Sequence, residues 1–269
     1  IPDHGDLLYR LLTDQFNLGN NIEAFLMEAT IMSRKARALL KLSGETLSGK
    51  GKFGISRQPL EFMVHEIRSA RETFDLSLAI VIGGGNILRG SDMKNNVFEE
   101  DIAVADYMGM LATMINCLCF KRILRQHSIE SRVMSAVRCD DVCEPYHYEV
   151  ALSHLEKGRV VILAGGSGMP NLSTDMTMVM RAKELGIPTV LKGTKVDGIY
   201  TTDPTNDAGA KFIPRICHDD YLALDLKIIN FAAVGFAREN HMPIRVFNFF
   251  KEGNFRRILL GENIGSVIH

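Results

Sequence analysis

The sequence predicts a three-layer α/β/α fold, in which helices cover both faces of a mainly parallel central sheet. From residue 36 onward, short continuous apolar runs alternate with segments of helical periodicity. Such runs are typical of parallel strands because these strands are buried on both faces. Glycine clusters follow several of the runs, as is typical of ligand-binding loops at the carboxyl edge of this kind of sheet.

The individual elements follow from the same two patterns, taken in chain order. Apolar runs of strand length predict strands over 36–42, 78–82, 131–137, 160–163, 188–191 and 243–247. The first helix is predicted over 59–74, since Leu60, Val64 and Ile67 share one helical face. Further helices are predicted over 100–126, 147–156, 174–185 and 227–240.

The first thirty or so residues differ from the rest of the chain. Leu7, Leu8 and Leu11 recur at helical spacing, and a polar stretch over 17–21 then breaks the pattern. The residues from Met32 onward look like a natural start. We therefore expect residues 1–31 to form an appendage and residues 32–269 to form a single domain.

Composition sets limits on the class of protein. The 269 residues are 46% apolar and 23% charged, which is typical of soluble globular chains. A net charge of −1 gives no reason to expect a nucleic-acid partner. We expect neither a membrane span nor a secretory leader. The cysteines show no C-x-x-C or zinc-type spacing, so we expect reduced thiols in a cytoplasmic protein: Cys117, Cys119, Cys139, Cys143 and Cys217.

The first glycine-containing loop imitates a nucleotide-binding P-loop. Gly44, Gly49 and Lys50 fit the spacing G-x-x-x-x-G-K, but Gly51 stands where a P-loop needs Ser or Thr to hold Mg²⁺. We interpret this match as a coincidence of spacing. Phosphate binding by residues 41–44 is a separate inference, because these residues directly follow a predicted strand.

Three glycine-containing loops follow predicted strands, at 41–44, 83–86 and 165–168. Glycine permits positive φ and a close backbone approach, and exposed N–H groups near a helix N-terminus bind anions. Tight turns alone explain one such loop, whereas three at one edge favour phosphate binding. Arg89 follows the second loop and can grip a phosphate. Asp175 follows the third at an expected helix start, where capping alone would also explain it.

A further polar segment, 192–204, follows a predicted strand and is rich in Lys, Asp and Gly. A solvated loop is one interpretation. The length of the segment and its position at the carboxyl edge of the sheet favour a loop that belongs to a site.

These motifs resemble the amino acid kinase superfamily and, within it, the bacterial uridylate (UMP) kinases. The resemblance runs from about residue 36 to 269 and leaves residues 1–31 outside. GGGN and the KTKVDG-type loop are shared widely, whereas DYMGMLAT, the GKFG-bearing loop and PIRVFN indicate the UMP kinases. The matching strings are LLKLSGE (39–45), VIGGGNILRG (81–90), DYMGMLAT (106–113), GSGMPNLSTD (166–175), KGTKVDGIYTTDP (192–204) and PIRVFN (243–248).

The resemblance implies transfer of the ATP γ-phosphate to UMP with Mg²⁺, in pyrimidine nucleotide biosynthesis, by a cytoplasmic homohexamer. It also implies activation by GTP and inhibition by UTP. Catalytic roles are implied for Lys41, Arg89 and Asp175, and Asp175 is expected to orient the catalytic lysine and the Mg²⁺. We expect no set of side chains that binds a metal by itself.

The resemblance also implies binding residues for each nucleotide. For ATP they are Lys41, Leu42, Ser43, Gly44, Gly85, Arg89, Thr194, Tyr200 and Asp203. For UMP they are Gly84, Asp106, Ser167, Gly168, Met169, Pro170, Asn171, Leu172, Ser173 and Thr174, with Asp106 on the ribose hydroxyls. The loop linked to GTP is implied to be Gly49, Lys50, Gly51, Lys52, Phe53 and Gly54.

Four features depart from the family pattern. Met169 stands where an Asn beside the uracil is usual, and Leu172 replaces an aromatic residue. Ser167 and Ser173 stand in for Thr and keep the hydroxyl. Asn230 replaces an Asp and so removes a charge near the nucleotides. Base recognition at Met169 would then depend on backbone groups.

Other functional classes fit the sequence less well. A non-catalytic nucleotide-binding storage or regulatory protein, or a kinase of another acceptor, would use the same fold, but the intact Lys41 and Asp175 argue against a non-catalytic protein. A dinucleotide-binding oxidoreductase needs G-x-G-x-x-G. After Gly83 and Gly85, the third glycine position holds Leu88.

Overall fold

The computed structural model describes residues 35–51, 53–88, 102–188 and 190–269. The predicted appendage, residues 1–31, lies outside the described residues. Two residues of the predicted site, Arg89 and Lys52, also lie outside them, so their predicted roles stay predictions.

A large mixed sheet lies at the centre of the described chain. The strands, in chain order, are β1 (Lys35–Leu42), β2 (Asp75–Ile82), β3 (Ser131–Ser135), β4 (Glu144–Pro145), β5 (Val160–Ala164), β6 (Val190–Thr194), β7 (Ile199–Tyr200), β8 (Phe212–Ile213), β9 (Arg215–Ile216), β10 (Ile244–Asn248) and β11 (Ser266–Ile268). The order of strands in the large sheet is β4-β3-β5-β2-β1-β6-β10-β11-β9. Strands β7 and β8 form a separate antiparallel pair. Neighbouring strands are parallel from β4 to β10, and β11 runs antiparallel to β10. The prediction of a mainly parallel sheet is confirmed.

Helices cover both faces of this sheet, which confirms the three-layer prediction. They are α1 (Arg57–Thr73), α2 (Ile102–Gln126), α3 (Tyr148–Glu156), α4 (Thr174–Glu184), α5 (His218–Ala223), α6 (Phe231–Glu239) and α7 (Asn254–Leu259), together with a 3₁₀ helix over Gly44–Ser48. Apolar residues of α1, α2 and α7 pack into the core on one face. Apolar residues of α3, α4, α5 and α6 pack into the core on the other.

The alternation of side chains along β1 assigns its residues to these two cores. Leu40 and Leu42 belong to the core under α1 and α2, whereas Leu39 belongs to the core under α4 and α6. Successive strand residues point to opposite faces of a sheet, so Lys41 points to the same face as Leu39. The lysine is therefore directed toward α4.

The bounds of β6 and α6 differ from the prediction in a way that bears on the site. The strand predicted over 188–191 extends to Thr194, because Lys192 and Thr194 remain paired with neighbouring strands although they interrupt the apolar run. The helix predicted from 227 begins at Phe231. Asn230 caps this helix by accepting a hydrogen bond from the Ala232 N–H at 3.1 Å.

Helix α2 is long and apolar enough to cross a membrane by length and composition alone. Its residues Met114, Cys117 and Phe120 are buried and pack into the core against the sheet. These contacts are those of a core helix.

Candidate active site

The first two glycine-containing loops pack directly on each other at the carboxyl edge of the sheet. The Gly83 N–H donates to the Leu42 carbonyl at 2.9 Å. A Cβ at Gly44 would lie 2.5 Å from the Gly83 oxygen and 2.6 Å from the Gly85 nitrogen. Only glycine therefore allows this approach of backbone to backbone, and the loops after β1 and β2 act as one surface.

The third loop, after β5, is held by polar contacts with α2. The Gly165 N–H donates to the Thr113 hydroxyl at 2.9 Å, and the Asn171 N–H donates to Asp106 Oδ2 at 2.6 Å. Within the loop, the Ser167 hydroxyl donates to the Met169 carbonyl at 3.0 Å and accepts from the Met169 N–H at 3.1 Å. Asp106 thus fixes the loop that the resemblance assigns to UMP.

A buried cluster of two lysines and one aspartate lies beside these loops. Lys41 Nζ is 2.9 Å from Asp175 Oδ1. Lys192 Nζ donates to both carboxylate oxygens of Asp175, at 2.8 and 2.7 Å. The side chains of Lys41 and Lys192 are each 6% exposed, and that of Asp175 is 11% exposed. We call these three residues the Lys–Asp–Lys cluster.

Strand register and helix position bring the cluster together. Lys41 and Lys192 are paired neighbours on β1 and β6, and they point to the face that α4 covers. Ser173 caps α4 by accepting a hydrogen bond from the Met176 N–H at 3.2 Å. Asp175 is the second residue of α4, so its side chain is available to the lysines rather than serving as the helix cap.

The two kinds of charge shift each other's protonation equilibria. Burial acts to raise the pKa of the Asp175 carboxyl, but the charges of Lys192 and Lys41 outweigh burial and hold that pKa below its usual value. Burial lowers the pKa of Lys192 to about 8, with Asp175 opposing the shift and Lys41 adding to it. With all three groups ionised the cluster carries one net positive charge, which favours an anionic ligand.

The backbone before α6 completes the contacts of the cluster. Lys192 Nζ donates to the Ile228 carbonyl, and the Asn230 N–H donates to Asp175 Oδ2 at 3.0 Å. The main chain of Asn230 makes this contact with Asp175, so the contact is the same whether residue 230 is Asn or Asp. Each Asp175 oxygen now accepts two hydrogen bonds or ion-pair contacts, which uses the capacity of the carboxylate.

Of the two clefts that described residues line at this edge of the sheet, the larger has a volume of about 550 Å³. Its lining includes Tyr200, Asp203, Lys227 and Ile228. The Thr194 hydroxyl instead donates to the carbonyls of Val196, at 2.7 Å, and Phe247, at 3.1 Å. Two of the residues implied for ATP thus face one cleft, while Thr194 supports the start of the loop that lines it.

The smaller cleft has a volume of about 220 Å³ and contains several residues implied for UMP. Its lining includes Gly84, Gly85, Asp106, Leu172, Ser173 and Thr174. Gly85 was predicted for ATP, but it lies here beside Gly84 because both belong to the same turn after β2. Met169 is 52% exposed and is not among the residues that line this cleft.

The loop over 49–54 is attached to the second glycine-containing loop. The Gly54 N–H donates to the Asn86 carbonyl at 2.8 Å, and Asn86 Nδ2 donates to the Gly54 carbonyl at 2.8 Å. The buried Asn86 and Asn116 amides also bind each other, at 2.7 and 3.0 Å. Phe53, which precedes Gly54, is 75% exposed.

Sequence reasoning missed Lys192 and the backbone of residues 228–230. Lys192 was assigned to a loop because it interrupts an apolar run. A detectable signal existed: Lys192 is two residues after the apolar Val190, so the period-two pattern of a strand would place both on one face. No sequence pattern identifies the main-chain groups of Ile228 and Asn230.

Comparisons with known proteins bear on the family and the fold of this chain. The model of the amino acid kinase family matches residues 36–248. The UMP kinase from Bacillus anthracis is 35% identical, with a TM-score of 0.82 over 88% of this chain and 96% of that one. The UMP kinase from Ureaplasma parvum is 30% identical, with a TM-score of 0.79 over 87% and 99%. The uridylate kinase from Archaeoglobus fulgidus is 21% identical, with a TM-score of 0.65 over 87% and 100%, and supports the fold alone.

Proposed function

Since the chain belongs to the amino acid kinase family, we propose that it is a UMP kinase, which transfers the γ-phosphoryl group of ATP to UMP and releases UDP and ADP. The observation that carries this proposal is the position of the Lys–Asp–Lys cluster. Lys192 contacts Ile228, which lines the larger cleft, and Asp175 follows Thr174, which lines the smaller one. The cluster therefore lies where a donor and an acceptor nucleotide would meet.

Catalysis by this cluster requires positive charge and positioning rather than a general base. The acceptor is a phosphate oxygen that is largely ionised at neutral pH, since the second pKa of a phosphate ester is about 6. The difficulty is to bring two polyanions together and to stabilise the charge on the transferred group. We assign this task to the ammonium groups of Lys41 and Lys192, which Asp175 holds in place.

The surrounding loops bind the two nucleotides in this proposal. Backbone N–H groups of residues 43–44 and 84–85 would contact phosphates, as would Arg89. The N-terminus of α4, which begins at Thr174, faces the smaller cleft and favours the UMP phosphate. Tyr200 and Asp203 would border the ATP base and ribose, and Asp106 the UMP ribose.

The donor is written as MgATP, because the metal would arrive with the nucleotide. Among the described residues, no group of three His, Cys, Asp or Glu side chains could hold a metal ion. Asp175, whose oxygens accept from both lysines and a main-chain N–H, would orient the Mg²⁺ through the lysines that it holds. When bound, the Mg²⁺ would neutralise phosphate charge, and the lysines would act on the transferred group beside it.

Further properties are proposed from the family resemblance. They are a cytoplasmic location, a place in pyrimidine nucleotide biosynthesis, assembly as a homohexamer, and responses to GTP through residues 49–54 and to UTP. We also propose that residues 32–269 form one domain to which residues 1–31 are appended.

A coupled assay of ADP release across the nucleoside monophosphates tests the proposed function. We expect turnover with UMP to exceed turnover with CMP, AMP, GMP and dUMP. Turnover with an amino acid or carbamate but not UMP would indicate another kinase of the family. Tight ATP binding without any transfer, by protein shown to be folded, would indicate a non-catalytic nucleotide-binding protein.

A further inference from the structure

One buried tyrosine binds both polar groups of a single residue next to the cluster. Tyr221, on α5, is 1% exposed and belongs to the core beneath α4 and α6. Its hydroxyl accepts a hydrogen bond from the Ile229 N–H at 2.7 Å and donates one to the Ile229 carbonyl at 3.1 Å. A single hydroxyl therefore satisfies both main-chain groups of Ile229, using one donor and one acceptor.

The planarity of the peptide bond carries this constraint to the neighbouring residues. The Ile229 N–H shares a peptide plane with the Ile228 carbonyl, and the Ile229 carbonyl shares the next plane with the Asn230 N–H. In a trans peptide the N–H and the carbonyl point in opposite directions within a rigid plane. Because Tyr221 holds one end of each plane, it also fixes the direction of the other end.

The other ends of the two planes are the main-chain groups that bind the cluster. The Ile228 carbonyl accepts from Lys192 Nζ, and the Asn230 N–H donates to Asp175 Oδ2 at 3.0 Å. The Tyr221 hydroxyl thus influences Lys192 through the peptide plane before Ile229 and Asp175 through the peptide plane after it.

We infer that Tyr221 is a positioning residue for phosphoryl transfer, which acts by orienting the peptide planes on both sides of Ile229 toward Lys192 and Asp175. This inference rests on the proposed function for its kinetic consequence. Its structural consequence, the fixed environment of the Lys192 ammonium, does not depend on which acceptor the enzyme uses.

The variant Tyr221→Phe removes the hydroxyl and keeps the ring. Both main-chain groups of Ile229 then lose a buried partner, and each plane keeps only the contact at its other end, with Lys192 or Asp175. We expect kcat for UMP phosphorylation to fall by about 10- to 100-fold, because small displacements of catalytic groups have effects of this size. KM for UMP should change by less than about two-fold, since neither Tyr221 nor residues 228–230 line the smaller cleft.

A second readout follows the ammonium group of Lys192 directly. This group faces Asp175 from α4, Lys41 from β1 and the Ile228 carbonyl, and its pKa is lowered to about 8 by burial. When the carbonyl is no longer held, the charged form loses an acceptor, so its pKa should fall further. NMR titration of ¹³C-labelled lysine, with the Lys192→Met variant for assignment, measures this shift. The alkaline limb of the kcat profile should move to lower pH with it.

Tyr146→Phe is the matched control. The Tyr146 hydroxyl donates to Glu184 Oε2 at 2.6 Å, at the end of α4 opposite to Asp175. We expect this variant to keep the wild-type kcat, pH profile and Lys192 titration. All assays are run well below the Tm of each variant, and ATP binding by calorimetry verifies that each is folded.

The outcomes separate this inference from the proposed function. A Tyr221→Phe enzyme with wild-type kcat and an unshifted Lys192 titration overturns the inference, even if its Tm is lower, because the hydroxyl would then be only structural. If the wild-type enzyme does not phosphorylate UMP but the Lys192 titration shifts in the variant, the positioning role stands and the proposed function fails.

Discussion

Replacing Asp175 by Asn should destabilise the fold as well as abolish most activity. The carboxylate has contacts of 2.7–2.9 Å with two buried ammonium groups. An amide of the same shape removes the charge and leaves Lys41 and Lys192 close together without a counter-ion. Removing one partner of a buried ion pair costs about 3–5 kcal/mol, which lowers Tm by roughly 6–20 °C for a chain of this size.

Replacing Lys192 by Met should reduce stability far less than replacing Asp175 by Asn. Asp175 keeps Lys41 at 2.9 Å and the Asn230 N–H at 3.0 Å, and the buried ammonium group is replaced by an apolar side chain of similar length. The loss from removing one partner of a buried ion pair arises from the charge left unpaired, and here Asp175 and Lys41 remain as a balanced pair. Both variants should lose about 10²–10³-fold in kcat, because each removes or misplaces a donor that stabilises transition-state charge.

The pH dependence of stability has the same sign for the two groups, since each pKa is lower in the folded state, but it lies in a different pH range for each. The folded-state pKa of Asp175 lies below 3.8, so its contribution to the free energy of unfolding is complete above that value and is lost as the pH falls below it. Lys192 has a folded-state pKa of about 8 against 10.5 when unfolded. The wild type should therefore gain stability as the pH rises from 8 to 10.5, whereas Lys192→Met should lack this gain.

Urea unfolding followed by circular dichroism at several pH values measures these differences. Asp219→Asn is a control, since Asp219 pairs with Arg238 at 2.9 Å but its side chain is 76% exposed. An exposed pair of this kind contributes less than about 1 kcal/mol. If Asp175→Asn were no less stable than this control, or if Lys192→Met were destabilised equally with Asp175→Asn, the charge assignment of the cluster would be refuted.

Three other predictions concern the loops and the pH profile. Gly44→Ala should lower Tm and kcat, because the added Cβ would lie 2.5 Å from the Gly83 oxygen and overpacking costs about 1–3 kcal/mol or more. Calorimetry measures the Tm and the coupled assay measures kcat. A variant with the wild-type Tm would contradict the close packing of the two loops. Asp106→Ala should reduce the preference for UMP over dUMP, measured as a ratio of kcat/KM values; an unchanged ratio would remove Asp106 from the ribose role. The kcat of the wild type should fall above about pH 8 as Lys192 loses its proton; a flat profile to pH 10, with a stable fold, would show that the charge of Lys192 is not required.

The sequence predicted the parts of the site that local patterns encode. The glycine-containing loops after β1, β2 and β5 could be found because glycine is placed where the backbone must turn or approach another chain segment closely. Gly44 is the clearest example, since a Cβ there would collide with main-chain atoms of the next loop. The strand that carries Lys41 could be found because β1 is apolar on both faces.

Other parts of the site depend on tertiary structure that local patterns do not encode. Lys192 lies inside β6, but its charge ends the apolar run, and only the pairing of β6 with β1 shows that its charge is buried. Asp175 could equally have been a helix cap until Ser173 was seen in that role. The contacts of Ile228 and Asn230 are made by main-chain groups, which are the same for every side chain at those positions.

Rapid-quench measurement of UDP formation from ATP and UMP tests the central claim most directly. The wild-type enzyme and Lys41→Met are compared at saturating nucleotide, with ATP binding measured separately for each. We expect the wild type to form UDP, and we expect the variant, once saturated with ATP, to form UDP about 10²–10³-fold more slowly. Absence of UDP with the folded wild type, or equal rates for both proteins, would contradict phosphoryl transfer by the Lys–Asp–Lys cluster.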